Sequence, residues 1–541
     1  IKWFLQKVVE MQFEIKHKKL QLGLNWKKMS IIKDWLTSHA DSKHIWSGNQ
    51  AWKNMQWLLK SDEEFELSIP KGLNADLRSY QMEGVKWMYR LYEAELGGIL
   101  ADDMGLGKTI QVLAYLLAIK EHNNHPLSAL IVVPTSLLVN WQEECGKFTP
   151  GLNFNVFHSK DKDEKLWSQV DVVITTYGMV QRHAALFKNH AFTHIILDEA
   201  QMIKNFQSQK TTALKSLQAK QKICLSGTPM ENHLGELWSL MDFAVPYLLG
   251  NRAEFRKLYQ QPIEKYANEE AHQSLLARIS PFILRRSKQQ VLSNLPLKTK
   301  MVQKINLDKE QLELYETVRG VLADRVQAAL AEKGLLKSRW VILDALLKLR
   351  QICCDTALLP VQWNPNSVYS SAKLDYLLTM LHHLQDEGRS VLVFSQFTKM
   401  LHLIEQRLQK EGIAYQTLTG KTQNRHELVK RFQNGEVSVF LISLKAGGLG
   451  LNLTKADTVI HFEPWWNPAV SAQATDRVYR IGQEQPVFEY HLIAASTLEE
   501  WMLQLQDKKF DLFSQTIAHT QQFQNIWTEE SIMKFFAPLQ P

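Results

Sequence analysis

Cysteine is scarce in this chain. Four occur in 541 residues, Cys145, Cys224, Cys353 and Cys354, with no Cys-x-x-Cys pair, so neither a disulfide framework nor a structural zinc site is indicated. No apolar run is long enough to cross a bilayer and no signal peptide opens the sequence. A soluble, intracellular protein without a membrane partner is therefore expected. A strong charge of one sign is lacking too: 63 Lys and Arg against 56 Asp and Glu leave +7, which permits a polyanionic partner without establishing one. The chain opens at Ile1 with no initiator Met, which suggests a piece of a longer protein. Its length exceeds one ordinary core, and two or three domains are expected.

What is present centres on Leu100-Ala-Asp-Asp-Met-Gly-Leu-Gly-Lys-Thr109. A short apolar strand runs there into a glycine-bearing turn that ends in Lys-Thr and a helix. Backbone N–H groups around Gly105 and Gly107 can point at a polyphosphate, the dipole of a helix starting near Lys108 favours negative charge, and Lys108 adds a full positive charge. Thr109 is placed to hold a magnesium ion. The usual pattern has glycine five residues before Gly107, where this chain has Asp102. The second half of such a site is a hydrophobic strand ending in a carboxylate, and His194-Ile-Ile-Leu-Asp-Glu-Ala-Gln201 supplies one. Asp198 suits magnesium, reached through its waters, and Glu199 suits orienting and deprotonating an attacking water.

Residues 1–70 are rich in Lys and Trp, including Trp3, Trp26, Trp35, Trp46, Trp52 and Trp57, and read as mostly helical with the tryptophans packed. The Pro70-Lys-Gly72 break opens the main body. Over 71–250, strand-like runs alternate with helical stretches, at 98–100, 130–133, 172–175, 195–197 and 223–225, a parallel α/β pattern. The stretch 251–371 lacks such runs and reads as a helical insertion and linker, amphipathic over 343–352. Alternation resumes over 372–515, with strands expected at 391–394, 439–442, 458–462 and 490–493, and 516–541 forms a tail. The fold class is α/β, two parallel-sheet lobes with helical insertions.

Two further segments, Leu225-Ser-Gly-Thr-Pro229 and Gln473-Ala-Thr-Asp-Arg-Val-Tyr-Arg-Ile-Gly-Gln483, together with the acids, resemble the helicase-like ATPases of superfamily two. Within it the wording is most similar to the SWI/SNF-type family of DNA translocases, over about Leu77 to Leu512. Leu77-Arg-Ser-Tyr-Gln81 resembles the family's adenine-recognition element, and 102–109 differs from its commonest phosphate loop by Asp103 for Glu. Leu130 through Trp141 resembles motif Ia, Leu225 through Trp238 motif III, Val391 through Phe397 motif IV, and Leu441 through Asn452 motif V. Pro464-Trp-Trp-Asn-Pro468 follows at the family's spacing. One departure is Gln201, where many relatives carry His, which puts in question the coupling of the acid box to motif III. The compact linker resembles bacterial and archaeal members.

The resemblance implies two RecA-like lobes. The first would bind ATP and Mg2+ through Gln81, Asp102, Met104, Gly105, Leu106, Gly107, Lys108, Thr109 and Ile110. Catalysis would fall to Lys108, Asp198 and Glu199, with Gln473, Arg477 and Arg480 from the second lobe. Arg477 and Arg480, three apart, are expected on one helical face as arginine fingers. Double-stranded DNA would lie against Pro134, Thr135, Thr175, Thr176, Ser395, Gln396, Thr419, Lys445, Gly447 and Trp465. Hydroxyls and backbone amides of this kind suit phosphates and do not read bases. The implied function is a monomeric motor that tracks duplex DNA and displaces DNA-bound proteins without separating strands. It would be cytoplasmic and nucleoid-associated in a prokaryote, nuclear in a eukaryote. A strand-separating RNA helicase is the first rival, weakened by Gly227-Thr228-Pro229 where that class shows Ser-Ala-Thr. A non-catalytic scaffold, the second, would be expected to have lost Lys108, Glu199 or an arginine.

Overall fold

The computed structural model describes residues 67–122, 126–158, 164–230, 233–291, 296–364, 370–447, 451–466, 468–504 and 529–537, and a small antiparallel pair, Ile15–Lys16 with Lys19–Leu20. Apart from that pair, the helices expected over 1–66 and the greater part of the 516–541 tail lie outside the described residues. The chain forms two compact units, the first Ile1–Asp103 with Gly107–Val291 and the second Met104–Leu106 with Leu292–Pro541.

The first unit is built on seven parallel strands. They are β1 Gly98–Leu100, β2 Ala129–Val133, β3 Phe154–Phe157, β4 Val172–Thr176, β5 His194–Leu197, β6 Gln221–Leu225 and β7 Ile283–Leu284, in the order β3-β4-β2-β5-β6-β1-β7. Every residue of β1, β2, β4 and β5 is buried, because helices cover both faces of the sheet. Such strands read as unbroken apolar runs, without alternation. Helix α1, Ser79–Glu93, buries Val85, Met88 and Leu91 at helical spacing. Helix α2, Lys108–His122, is buried from Gln111 through Ile119. A helix apolar on every side belongs in a core, so the phosphate loop opens into a helix enclosed by the lobe. Helix α3, Leu138–Phe148, sets Trp141 fully buried beneath the strand ends.

The second unit has six parallel strands, β8 Lys298–Ile305, β9 Val391–Ser395, β10 Tyr415–Leu418, β11 Val439–Ser443, β12 Thr458–His461 and β13 Val487–Ala494, ordered β8-β13-β12-β9-β11-β10. The helical stretch Lys309–Cys354, α4, is broken at Gly334, whose φ is +68°. Its two halves fold back on one another: Gln311 Nε2 donates to Ile352 O at 2.6 Å, and Leu322 and Val326 share a core with Leu346 and Leu349. Helix α5, Ala372–Asp386, and helix α6, Pro468–Thr475, complete the parts used below.

One expectation is corrected here. The stretch from Gly250 to Ser371 was expected to lack strands, yet it holds β7 and β8. The first is two residues long. The second, Lys-Thr-Lys-Met-Val-Gln-Lys-Ile, is an edge strand, and its lysines, which obscure its apolar pattern, are suited to keeping an edge from pairing with other chains. Edge strands β3 and β10 likewise carry polar Asn155, Gln416 and Thr417 and interrupt no apolar run.

Candidate active site

Strand ends position the first unit's chemistry. In an open parallel sheet, ligands gather beyond the carboxyl ends of the strands. Leu197 pairs with Cys224, and Leu100 with Leu225, so Asp198, Ser226 and the loop after Leu100 start from one edge. Met104, Gly105 and Leu106 make the turn between β1 and α2, and Lys108, Thr109 and Ile110 open the helix. Gly105 and Gly107 have φ of +85° and +77°, the left-handed conformation that turns successive N–H groups inward in anion-binding loops. At Gly107 a Cβ would stand 2.6 Å from Gln81 Nε2, so the lack of a side chain lets the glutamine amide approach the loop. Gln81 is the third residue of α1, and its Oε1 accepts from Arg78 N at 2.9 Å. Lys108 Nζ rests on the loop's own carbonyls, donating to Asp102 O at 2.7 Å and Asp103 O at 3.4 Å.

Asp102 sends its side chain away from the turn, fully buried against Arg286. It is thus bound within the protein, while its carbonyl anchors Lys108. The donor set fits a magnesium nucleotide: a lysine, a hydroxyl at Thr109, two carboxylates and a glycine cradle.

The acids are held tightly. Asp198 Oδ2 accepts from Trp141 Nε1 at 2.8 Å and Oδ1 from Glu199 N at 2.9 Å, while Tyr177 donates its hydroxyl to Asp198 O at 2.8 Å. Burial, then the charge of Glu199, push the Asp198 carboxyl up to about 6, against the indole bond and the positive charge of Lys108. Glu199 has φ +50°, a left-handed conformation unusual for a residue with a side chain. Gln201 Nε2 donates to Glu199 Oε2 at 2.6 Å, Ser226 Oγ donates to Gln201 Oε1 at 3.1 Å, and Thr228 N donates to Ser226 Oγ at 3.1 Å. The glutamine that departs from the family's histidine therefore joins the acid box directly to motif III. Trp141, Tyr177, Ser226 and Arg286 escaped the sequence reading as functional residues. Buried Gln111 was the available signal for the last, since a polar residue inside an apolar helix requires a partner.

In the second unit, Gln473 lies on α6, but Arg477 and Arg480 do not share a helical face as expected. The helix ends at Thr475, where the ladder gives way to three-residue steps: Arg477 N donates to Ala474 O at 3.2 Å and Val478 N to Thr475 O at 2.9 Å. Two anchors cause the break. Thr475 Oγ1 donates to buried Glu489 Oε1 at 3.0 Å, and Arg477 O accepts from Leu453 N at 3.1 Å. Both arginines thus sit on a pinned turn. His461 and His491, stacked with centroids 4.7 Å apart, flank Glu489 and, with Lys298, hold its carboxyl far below the usual range despite burial.

The residues expected at DNA lie along strand ends of each unit. Pro134 and Thr135 follow β2, next to Thr175 and Thr176 on β4, Val133 pairing with Thr176. Thr135 is exposed. Thr175 is fully buried with its hydroxyl on Phe157 O at 2.7 Å, and Thr176 Oγ1 accepts from Met179 N at 3.4 Å as a helix cap, so both side chains are engaged within the lobe. Ser395 ends β9 and Gln396 follows it, Thr419 follows β10, and Lys445 and Gly447 follow β11, three adjacent strands. Ser395 is buried too, donating to Glu463 Oε1 at 3.1 Å. Burial pushes the Glu463 carboxyl up to about 7. Trp465 packs on a buried cation, with the Arg350 guanidinium 5.9 Å from its ring and 5.6 Å from that of Trp466.

Residues 80–358, more than half of the chain, match the SNF2-related domain, and 372–482 match the helicase conserved C-terminal domain. The chain belongs to the SNF2-related family. Among its relatives is an uncharacterised ATP-dependent helicase of Mycoplasma pneumoniae, 37% identical over 485 residues, covering 88% of this chain and 46% of that protein. A putative ATP-dependent helicase/translocase of Bacillus subtilis is 38% identical over 476 residues, covering 86% and 51%. The chain spans about half the length of the curated relatives it matches. The Sulfolobus solfataricus SWI2/SNF2 ATPase core, solved in complex with dsDNA, is 37% identical, covering 88% of this chain and all of that one, at a TM-score of 0.44. Among the described residues, no helix is long and apolar enough to cross a membrane.

Proposed function

We propose that this SNF2-related protein hydrolyses ATP with magnesium and uses the cycle to track along double-stranded DNA, displacing bound proteins without parting the strands. One observation carries the chemistry: buried Asp198, fixed by Trp141, stands beside Glu199 and within the electrostatic reach of Lys108. Bound MgATP would supply an electrophilic γ-phosphorus and a cation that offsets the phosphate charge. Lys108 and the glycine turn would hold the phosphates, Thr109 and Asp198 would hold the metal, and Glu199, oriented by Gln201, would take the proton of the attacking water. The family resemblance would give Arg477 and Arg480 the stabilisation of developing charge, a contribution of roughly 10³ to 10⁵ in rate for such arginines elsewhere.

The motif wording and the named translocase relative support the translocase reading. A DNA partner is in keeping with exposed Thr135, whose hydroxyl suits a phosphate and does not read a base. A displaced protein, the monomeric state and the cellular compartment belong to the same proposal. Two assays on one preparation test it: ATP-driven release of a third strand from a DNA triplex, and opening of a forked duplex. Third-strand release without fork opening is expected, and fork opening would replace this reading with a strand-separating helicase.

A further inference from the structure

We propose that Arg286 is a positioning residue that fixes the phosphate loop and the adenine-reading helix α1 to one another. The inference rests on reading the site as one for ATP. Arg286 follows β7, the strand that pairs with β1 on the side away from β6. Its fork grips Asp102, Nε to Oδ1 at 2.9 Å and Nη2 to Oδ2 at 2.6 Å. Nη2 also donates to Gln111 Oε1 at 2.9 Å, while Gln111 Nε2 donates to Asp102 Oδ2 at 3.2 Å. Nη1 reaches the carbonyl of Tyr80, over whose ring the guanidinium lies at 5.3 Å. One buried side chain thereby ties the loop, α2 and α1 together.

The backbone repeats the pattern. Ala101 N donates to Leu284 O at 2.7 Å, Asp103 N to Arg286 O at 3.0 Å, and Lys288 N to Asp103 Oδ2 at 3.1 Å, so residues 284–288 run along the first half of the loop as an extension of β7. Gly84 supplies an independent sign of the fit. A Cβ there would stand 2.0 Å from Gln111 Oε1 and 2.9 Å from Arg286 Nη2, so α1 comes this close because it carries no side chain at that position. Asp102, which stands where the general pattern has glycine, serves as the arginine's planar partner.

The consequence reaches the ligand. Tyr80 adjoins Gln81, which approaches Gly107, and the carbonyl of Asp102 anchors Lys108 at 2.7 Å. Arg286 thus sets the separation between a base-reading amide and a phosphate-holding ammonium, a separation that a nucleotide must match. Lysine in its place keeps a charge beside Asp102 but has no fork to reach all three elements.

The test compares the unaltered chain with Arg286→Ala, Arg286→Lys and the charge-free pair Asp102→Asn/Arg286→Gln, in steady-state hydrolysis of ATP and GTP with duplex DNA, alongside thermal melting. A rise of at least tenfold in KM for ATP and a fall of at least fivefold in the ATP-over-GTP preference are expected in both single variants. A merely structural role would lower the melting temperature and the active fraction and leave KM and nucleotide preference unmoved. That result overturns the inference, as would failure of all three variants to fold. If only Arg286→Ala unfolds, Arg286→Lys and the double variant decide by the same two ratios. Lack of ATP binding by the unaltered chain would instead overturn the reading of the site, whatever the variants do.

Discussion

The side-chain amide of Gln201 donates to the Glu199 carboxylate at 2.6 Å, and its carbonyl accepts from Ser226. A proton-accepting carboxylate needs a fixed direction, and Glu199 has this bond to hold it. Hydrogen bonds to charged groups contribute about 1.5–3 kcal/mol, which corresponds to roughly tenfold to a hundredfold in rate if the bond acts in the transition state. Gln201→Ala is expected to lower kcat by that factor with KM for ATP changed less than about twofold. Ser226→Ala should act in the same direction, and the pair should lose less than the sum of the two, because both substitutions break one chain of bonds. Turnover by Gln201→Ala at the unaltered rate would show that the bridge has no part in hydrolysis.

Asp198 gives a test in which a site residue opposes stability. Its folded value of about 6 exceeds the ordinary 3.8, so between these two pH values the native state binds more protons than the unfolded chain. Stability of the nucleotide-free protein therefore falls as pH rises through that window. Asp198→Asn removes the ionisation while retaining an acceptor for Trp141. In urea unfolding without nucleotide or magnesium, it should be more stable than the unaltered chain at pH 7.5, on the order of 1–3 kcal/mol from a shift of this size less one lost hydrogen bond. The advantage should shrink toward pH 4. A constant difference across that range, or a less stable variant at pH 7.5, would contradict the assigned burial.

A second buried charge works the other way. Lys373 on α5 is fully buried, bonded to Glu499 at 2.7 and 2.9 Å and to the carbonyls of Phe462 and Leu492 beyond β12 and on β13. Lys373→Met would leave the Glu499 carboxylate without its cation, a loss of about 3–5 kcal/mol. Pairing it with Glu499→Gln should recover a large part of that. Equal loss in the single and double variants, measured by urea unfolding, would mean that the carbonyl contacts matter and the ion pair does not.

Much of this architecture could be read from residue order. Strands β1, β2, β4, β5, β9 and β11 are buried on both faces, and burial of that kind writes an unbroken apolar run. Strands β3, β8 and β10 sit at sheet edges, where one side needs no neighbour and polar residues intrude. The phosphate loop and the acid strand were legible because each is continuous in sequence. Arg286 was not, since its meaning depends on Asp102, 184 residues away. Three-residue spacing suggested a helix under Arg477 and Arg480, but buried Thr475 and the Leu453 amide end the helix first. Thr175 and Ser395 were legible as strand-end hydroxyls, though not that each would be enclosed by its own lobe.

The most direct measurement is the rate of ATP hydrolysis by the intact chain with duplex DNA, single-stranded DNA, RNA or no polymer, at one ionic strength because phosphate contacts are salt-dependent. Glu199→Gln serves as the control that binds ATP and does not turn it over. Duplex DNA should raise the rate severalfold above every other condition, and Glu199→Gln should remain at background throughout. Equal or greater stimulation by RNA, or hydrolysis by Glu199→Gln at the unaltered rate, would contradict a duplex-tracking ATPase built on these carboxylates.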